Sequence, residues 1–223
     1  HTTSSFLDSG GIPIVAVTDD IDGDVRDPGA PDIGADEFTP SLFPLSGPYT
    51  IGGSTPDYPT FTAAVNDLNN RGVAGWVTFF ARSGTYNEHF IILEIPGASA
   101  TDTIVFRPDT NNVLPVVITY NSATTQDDYV VLLNNADHVT FRNLTLAATG
   151  NSFAQAVVLS GNIINFRLIG NIVSSSNIAN NASVILSIDD ITKDILISGN
   201  TIAEGDYGIN LNGNNTTFST GTQ

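Results

Sequence analysis

Cysteine is absent from this sequence, basic residues are few, and no run of about 20 apolar residues is present. The absence of cysteine excludes a disulfide-stapled scaffold and is common among exported bacterial proteins. Acidic residues outnumber basic ones by 23 to 7, so nucleic acid and anionic membrane surfaces would repel the chain, whereas cations would be attracted. We therefore expect an extracellular or cell-surface protein that binds no nucleic acid and does not insert directly into a membrane.

The acidic residues concentrate in the first 38 residues, where Arg26 is the only basic residue. Nine carboxylates lie there: Asp8, Asp19, Asp20, Asp22, Asp24, Asp27, Asp32, Asp36 and Glu37. A stretch containing proline and serine, TPSLFPLSGP, follows over residues 39–48 and is typical of a module junction. We expect residues 1–38 to be the C-terminal coil of one module, residues 39–47 a linker, and residues 48–223 the N-terminal part of a second module.

One amphipathic helix is predicted after this junction. Apolar residues recur there at the i, i+3, i+4, i+7 spacing, at Phe61, Ala64, Val65 and Leu68. Thr60 is the expected N-cap, and the stretch ending at Gly72 is the expected stop. Because the end of a solenoid is a raw sheet edge, this helix would cap the β-structure that follows it.

The remainder of the chain is predicted to be a solenoid of short strands. The segments VTFRNLTL, FRLIGNIV and ILISGNTI begin at Val139, Phe166 and Ile195, which are 27 and 29 residues apart. A period in the twenties is a solenoid signature, and the strand–turn–strand units leave no room for a helix in each repeat. The sequence therefore predicts an all-β, right-handed parallel β-helix with a short N-terminal capping helix.

Asparagines recur at one place in this repeat. Asn171 and Asn200 each follow a glycine in successive units, and Asn143 falls one position off their register. Stacked asparagine side chains inside a turn would hydrogen-bond from coil to coil. The alternative is that these are independent turn residues.

Residues 49–175 resemble the pectin-lyase-like superfamily and, within it, the pectinesterases. The stretch TIGGSTPDYPTFTAAVNDL leads into ARSGTYNEHFII, where Gly84, Tyr86 and Glu88 match the family's G-x-Y-x-E turn. Further on, residues 155–157 match its Gln-Ala-Val signature. The resemblance implies a right-handed parallel β-helix.

The catalytic residues of that family are not matched. Its general acid follows the Gln-Ala-Val signature in a Gly-Tyr-Gln-Asp segment, where this chain has GNIVS at residues 170–174. Its nucleophilic aspartate is approximated only by Asp206, and its arginine has no counterpart. Ester hydrolysis on this scaffold needs two carboxylates with opposed protonation and a cation. We assign no catalytic residue and lean against an enzyme.

The first 38 residues carry a second resemblance. They match the pattern Asp-Ile-Asp-Gly-x-x-Arg…Asp-Ile-Gly-Ala-x-Glu, which ends β-helix modules of bacterial surface proteins, especially those of the Bacteroidetes. The matching residues are Asp20, Ile21, Asp22, Gly23, Arg26, Asp32, Ile33, Gly34, Ala35 and Glu37. An end signature before a start signature implies an excerpt of a longer modular polypeptide.

The same acidic stretch is a candidate calcium site. Carboxylates alternate along it around Gly23, as tight oxygen-ligand loops for Ca²⁺ require. The candidate ligands are Asp20, Asp22, Asp24 and Asp27. The alternative is a solvated acidic turn in which Arg26 pairs with a neighbouring carboxylate.

Other polar and aromatic groups favour structural interpretations. The pairs Asp137–His138 and Asp189–Asp190 are predicted to be solvated turns between coils. Four aromatic residues, Trp76, Phe79, Phe80 and Phe90, could form a sugar-stacking platform, but their position in the first strands favours core packing.

The leading functional hypothesis is a non-catalytic structural and adhesive module of a large exported cell-surface protein, which binds a polysaccharide or another cell-surface ligand through many weak contacts. One alternative is a carbohydrate-active enzyme of the pectinesterase or polysaccharide-lyase type whose active site lies outside this segment. Another is a self-assembling extracellular fibre subunit that associates end to end.

Overall fold

The computed structural model describes residues 11–21, 23, 25–34, 43–111, 113–122, 127–150, 154–176, 183–188 and 192–211. The chain divides into two compact units, His1–Pro44 and Leu45–Gln223. In the first unit, the described residues form turns and one antiparallel bridge between Asp19 and Val25. Helix α1 (Phe61–Arg71) and the strands of the described part of the chain belong to the second unit.

Three parallel sheets form the second unit. Sheet 1 contains β1 (Leu45–Ile51), β2 (Val73–Ala81), β5 (Ile104–Pro108), β8 (Val139–Arg142), β12 (Arg167–Ile169) and β16 (Leu196–Ser198). Sheet 2 contains β3 (Gly84–Asn87), β6 (Val116–Tyr120), β9 (Thr145–Ala148), β13 (Ile172–Ser175) and β17 (Thr201–Glu204). Sheet 3 contains β4 (Phe90–Ile92), β7 (Tyr129–Asn134), β10 (Gln155–Ser160), β14 (Ser183–Ser187) and β18 (Tyr207–Leu211). A two-stranded sheet joins β11 (Ile163–Ile164) and β15 (Thr192–Lys193).

Each coil of the solenoid takes one strand from each of the three sheets. Coil 1 is β2–β4, coil 2 is β5–β7, coil 3 is β8–β10, coil 4 is β12–β14 and coil 5 is β16–β18. Strands of neighbouring coils pair in parallel, for example Val157 with Val131 and with Ile185. This is the right-handed parallel β-helix of about five coils that the sequence repeat predicts.

Stacked phenylalanines fill the core behind sheet 1. Phe79, Phe106 and Phe141 occupy one register position in coils 1 to 3, and all three are fully buried. Their ring centroids lie 4.7 and 5.1 Å apart. Because strand side chains alternate between faces, the residues next to these phenylalanines point outward from sheet 1.

Helix α1 covers the core at the first coil, as its spacing predicts. Thr60 is its N-cap, with a side chain that accepts a hydrogen bond from the Ala63 N–H, and Gly72 ends it at φ 65°. The predicted apolar face, which runs from Phe61 to Leu68, is buried.

The corner between sheets 1 and 2 explains the asparagine register. Gly170 and Gly199 adopt φ of 66° and 64°, and Asn143 takes the same turn position in coil 3 with φ 55°. Asparagine tolerates this left-handed conformation better than most residues. Asn143 is therefore the counterpart of the two glycines rather than of Asn171.

The predicted asparagine ladder is present at the next position. The Asn171 side chain accepts from the Leu144 N–H at 2.9 Å and donates to the Phe141 carbonyl at 2.9 Å. Its Nδ2 also donates to Asn200 Oδ1 at 3.1 Å, and Asn200 in turn donates to the Leu168 carbonyl at 2.7 Å. Asn171 is buried, so these bonds satisfy backbone groups that water does not reach.

Candidate functional site

The predicted calcium ligands are only partly within the described residues. Asp22 and Asp24 lie outside them, while Asp20 and Asp27 lie inside. Asp27 Oδ1 accepts the N–H groups of Gly29 and Ala30 at 2.7 and 3.0 Å, and these bonds hold the pKa of Asp27 below its ordinary value. No group of three or more His, Asp or Glu side chains suited to a metal occurs among the described residues. Calcium binding stays a prediction.

The G-x-Y-x-E motif joins coil 1 to the capping helix. The Glu88 carboxylate accepts the N–H groups of Phe61 and Thr62 at 3.0 and 2.8 Å and the Thr62 hydroxyl at 2.5 Å. A carboxylate is favourable there because the first N–H groups of a helix lack partners. Tyr86 packs edge-on against Phe61 and donates to the Arg82 carbonyl at 2.9 Å. The motif residues thus hold the helix in place.

The Gln-Ala-Val signature lies in β10 of sheet 3. Ala156 and Val157 are buried, and the Gln155 N–H donates to the Asp128 carbonyl at 2.6 Å. The strands of sheet 3 carry no charged side chain. Their outward row is aliphatic where it runs through Ile91, Leu132, Val158 and Leu186. Apart from the tyrosines that begin β7 and β18, acid–base groups for this sheet would come from its turns.

The remaining family positions lie outside the strands of sheet 3. Residues 170 and 171 form the corner between sheets 1 and 2, and Asp206 directly precedes β18. At the turn after sheet 3, Asp137 Oδ1 accepts the Ile164 N–H at 2.6 Å, and His138 Nδ1 lies 2.9 Å from the Asn165 amide nitrogen. These contacts link the turn that follows coil 2 to the turn that follows coil 3. Asp189 and Asp190 lie outside the described residues.

A cluster of aromatic and acidic side chains lies at the corner between sheets 2 and 3. The His89 ring stacks on the Tyr120 ring with centroids 4.0 Å apart. The Tyr129 ring is tilted relative to His89, and these two centroids are 5.3 Å apart. The Tyr120 hydroxyl donates to Asp127 Oδ2 at 2.8 Å. Burial, with a smaller contribution from Asp127, raises the pKa of Asp128 to about 6.

This corner cluster can exchange a proton near neutral pH and can offer hydroxyl and carboxylate groups to a ligand. Sequence reasoning missed it, because the rings come from different coils. The neighbouring positions Asp127-Asp128-Tyr129 were the one local signal.

The outer face of sheet 1 is both basic and aromatic. Phe80, Arg107 and Arg142 occupy one outward register row in coils 1 to 3. The Arg107 guanidinium carbon lies 5.6 Å from the Phe80 ring centroid. Arg167 lies in the adjacent row of coil 4, where it pairs in register with Thr140. Trp76, on the same face of β2, is 52% exposed, so the core interpretation is wrong for Trp76 although Phe79 and Phe90 are buried.

A groove of about 510 Å³ borders this face at the corner with sheet 2. Val113 and Leu114, in the long turn of coil 2, form an apolar wall and are strongly exposed. Arg107, Asn143 and Thr145 supply polar groups to the same groove. Since only coil 2 has a long turn at this corner, the groove is a local departure from an otherwise regular surface.

Comparison of the chain with protein-family models, with curated proteins and with solved structures finds no match. The parallel β-helix is consistent with a pectin-lyase-like fold. No helix of the described residues is long and apolar enough to cross a membrane.

Proposed function

We propose that this chain is a non-catalytic structural and adhesive β-helix module of a large exported bacterial surface protein, and that it binds polysaccharide. Membership of the pectin-lyase-like superfamily is part of the proposal. It is supported by the coil architecture, the capping helix and the matched turn at Gly84, Tyr86 and Glu88.

The structural half of the proposal is supported by how the motif residues are used. Glu88 binds helix N–H groups, Asp137 binds the Ile164 N–H, and Asn171 bridges two coils. Each of these polar groups satisfies the backbone instead of facing a cleft. Stacked coils with paired strands form a stiff element that suits a spacer.

The observation that carries the adhesive half is the outer face of sheet 1. It combines exposed aromatic surface at Trp76 with one arginine in each of coils 2, 3 and 4. Aromatic rings stack on the apolar faces of sugars, and a repeating surface offers many equivalent contacts to a repeating polymer.

Affinity electrophoresis of the protein through gels containing different polysaccharides tests this function. We expect retardation by at least one polysaccharide and no release of reducing ends, ester alcohol or unsaturated sugar from it. Retardation by none of the polysaccharides would remove the adhesive function, and turnover that survives purification to homogeneity would remove the non-catalytic one.

One observation favours an enzyme of the pectinesterase or polysaccharide-lyase type as the second candidate. Burial raises the pKa of Asp128 to about 6, so this carboxyl beside Asp127 titrates closer to neutral pH than an ordinary aspartate, as suits a general acid. Under this alternative, Asp128→Asn would abolish any turnover while leaving polysaccharide binding in place.

A further inference from the structure

We infer that the outer face of sheet 1 binds an anionic glycan, whose carboxylate or sulfate groups contact Arg107, Arg142 and Arg167. The inference rests on the proposed adhesive function and adds the charge of the ligand and the residues that select it. This face is distinct from sheet 3, which carries the Gln-Ala-Val strand.

The face is an exception to the charge of the molecule. The chain has a formal net charge of −16, with only 7 basic residues. Yet the six strands of sheet 1 contain three of those basic residues and no aspartate or glutamate. Random placement on so acidic a chain would surround arginines with carboxylates, so their segregation creates a local site for anions.

Within the described part of the chain, these arginines have no carboxylate partners. Neither Arg107, Arg142 nor Arg167 forms an ion pair within 4.0 Å with a described residue. Arg82, just beyond β2, is by contrast paired with Asp109 at 2.8 Å. Free guanidinium groups present a planar fork that suits bidentate contacts to carboxylate or sulfate oxygens.

Arg107 is held ready for such a contact. Its guanidinium lies over Phe80, and its Nε is buried with no hydrogen-bond partner among the described residues. Arg167 is oriented by donation from its Nε to Asn165 Oδ1 at 3.0 Å. Pre-positioned side chains lose less conformational entropy when a ligand binds.

The spacing of the groups suits a chain laid across the coils. Continuing the Phe106–Phe141 register by one residue places Arg107 beside Arg142, with backbones about 4.8 Å apart. Arg167 lies one coil further, displaced by two residues along the strand. Phe80 and Trp76 extend the face into coil 1. The ring-stacking surface therefore lies in coil 1 and the charges follow it in coils 2 to 4.

Two other classes of anionic polymer fit less well. Nucleic acid carries one charge per about 1.7 Å of duplex, and the remaining acidic surface of this chain would repel it. An acidic peptide that added a strand would need free backbone groups, but strands β2 to β12 of sheet 1 are paired on both sides. Recognition by side chains alone favours the glycan.

The single tryptophan of the chain makes a direct test possible, because Trp76 lies on this face. We would titrate the full chain with dextran sulfate, with carboxymethyl dextran and with unmodified dextran of equal length, and follow tryptophan fluorescence. We expect saturable changes with one or both charged polymers, weakened by salt, and none with unmodified dextran. A preference between the charged polymers identifies sulfate or carboxylate as the group recognised.

Two single variants supply the decisive comparison. Arg142→Gln should raise the Kd for the bound dextran about tenfold, because it removes one charge-assisted contact. Lys193→Gln removes the same charge from an exposed side chain on β15 and should leave Kd within about twofold.

The failures are distinguishable. Equal effects of the two variants, or equal binding of unmodified dextran, would overturn the anionic-glycan inference while leaving polysaccharide binding intact. Absence of binding to the charged dextrans by a chain that other polysaccharides retard would also overturn it. If no polysaccharide binds at all, the proposed function falls together with the inference.

Discussion

Paired strands join all neighbouring coils, but coils 1 and 2 add stacked aromatic rings, whereas coils 4 and 5 add asparagine side chains at one corner. In the first region, Phe79 and Phe106 stack in the core, and Glu88 fixes helix α1 over them. In the second region, Asn171 and Asn200 bond from coil to coil. The difference shows that one fold can be stabilised from inside a coil by apolar burial or at its corner by satisfying backbone groups.

The largest expected effect concerns the aromatic region. Phe106 is fully buried between Phe79 and Phe141, so Phe106→Ala would leave a cavity and lower the free energy of unfolding by about 4 kcal/mol. Urea unfolding measures the loss, and Phe106→Leu serves as the control that keeps most of the volume. Since each coil contacts only its neighbours, hydrogen exchange should rise most in coils 1 to 3. A uniform rise over all five coils would contradict separate regions.

The second prediction concerns the asparagine corner. Asn171→Ala would leave the Leu144 N–H and the Phe141 carbonyl without partners and should cost about 3 kcal/mol. Asn143 occupies the turn position of Gly170, one place before that of Asn171. Asn143→Gly should change stability little, because glycine readily adopts the φ of 55° found there. Thermal unfolding of both variants checks this. A loss in Asn143→Gly as large as that in Asn171→Ala would show that the ladder is not what holds the corner.

The third prediction concerns the attachment of the capping helix. Glu88→Ala removes three hydrogen bonds to a carboxylate and should lower stability by about 2 kcal/mol. Hydrogen exchange of residues 61–71 should accelerate, while exchange in coils 4 and 5 stays unchanged. Glu88→Gln keeps the acceptor geometry of one oxygen and should lose less. If the helix were equally protected from hydrogen exchange in the wild type and in Glu88→Ala, the packing of Phe61 and Leu68 alone would anchor it.

The smallest effect is a pH dependence at the corner between sheets 2 and 3. Burial raises the pKa of Asp128 to about 6 from an ordinary value of 3.8, so the folded protein retains a proton that the unfolded chain releases between these values. Stability should therefore fall as pH rises through this window and stay lower above it.

Asp128→Asn should accordingly raise the melting temperature above about pH 6 and have little effect near pH 4. Differential scanning calorimetry across this range measures the change. Glu94→Gln, at an exposed position, is the matched control and should be neutral at every pH. If Asp128→Asn raised the melting temperature equally at both ends of this pH range, titration of the Asp128 carboxyl would not be the cause of the gain.

The sequence alone predicted what local spacing and turn chemistry determine. The period of the helix identified the face from Phe61 to Leu68, and Thr60 and Gly72 marked its ends. The glycine–asparagine pairs predicted the ladder, because the same turn recurs in successive coils. The spacing shows that Asn143 is off register. Its equivalence to Gly170 depends on a positive φ, which residue spacing does not reveal.

The candidate binding face could not be predicted, because it depends on which residues different coils bring into register. Ile104 pairs with Val139, and these positions are 35 residues apart, which exceeds the 27- and 29-residue repeat of later coils. The additional residues lie in turns, including the one that walls the groove. Because the repeat of the later coils does not reveal this longer separation, the sequence does not show that Arg107 lies beside Arg142. The sequence favours the core for Trp76, because the residues at the start of a strand do not show which of its faces points outward.

Parallel register has a consequence for how such a surface can change in size. Each coil adds about 4.8 Å to sheet 1 and contacts only the coils beside it. Duplicating or deleting one whole coil would therefore lengthen or shorten the row that contains Phe80, Arg107 and Arg142 by one fixed step without changing its spacing. The length of the surface is therefore set by the number of coils in the solenoid.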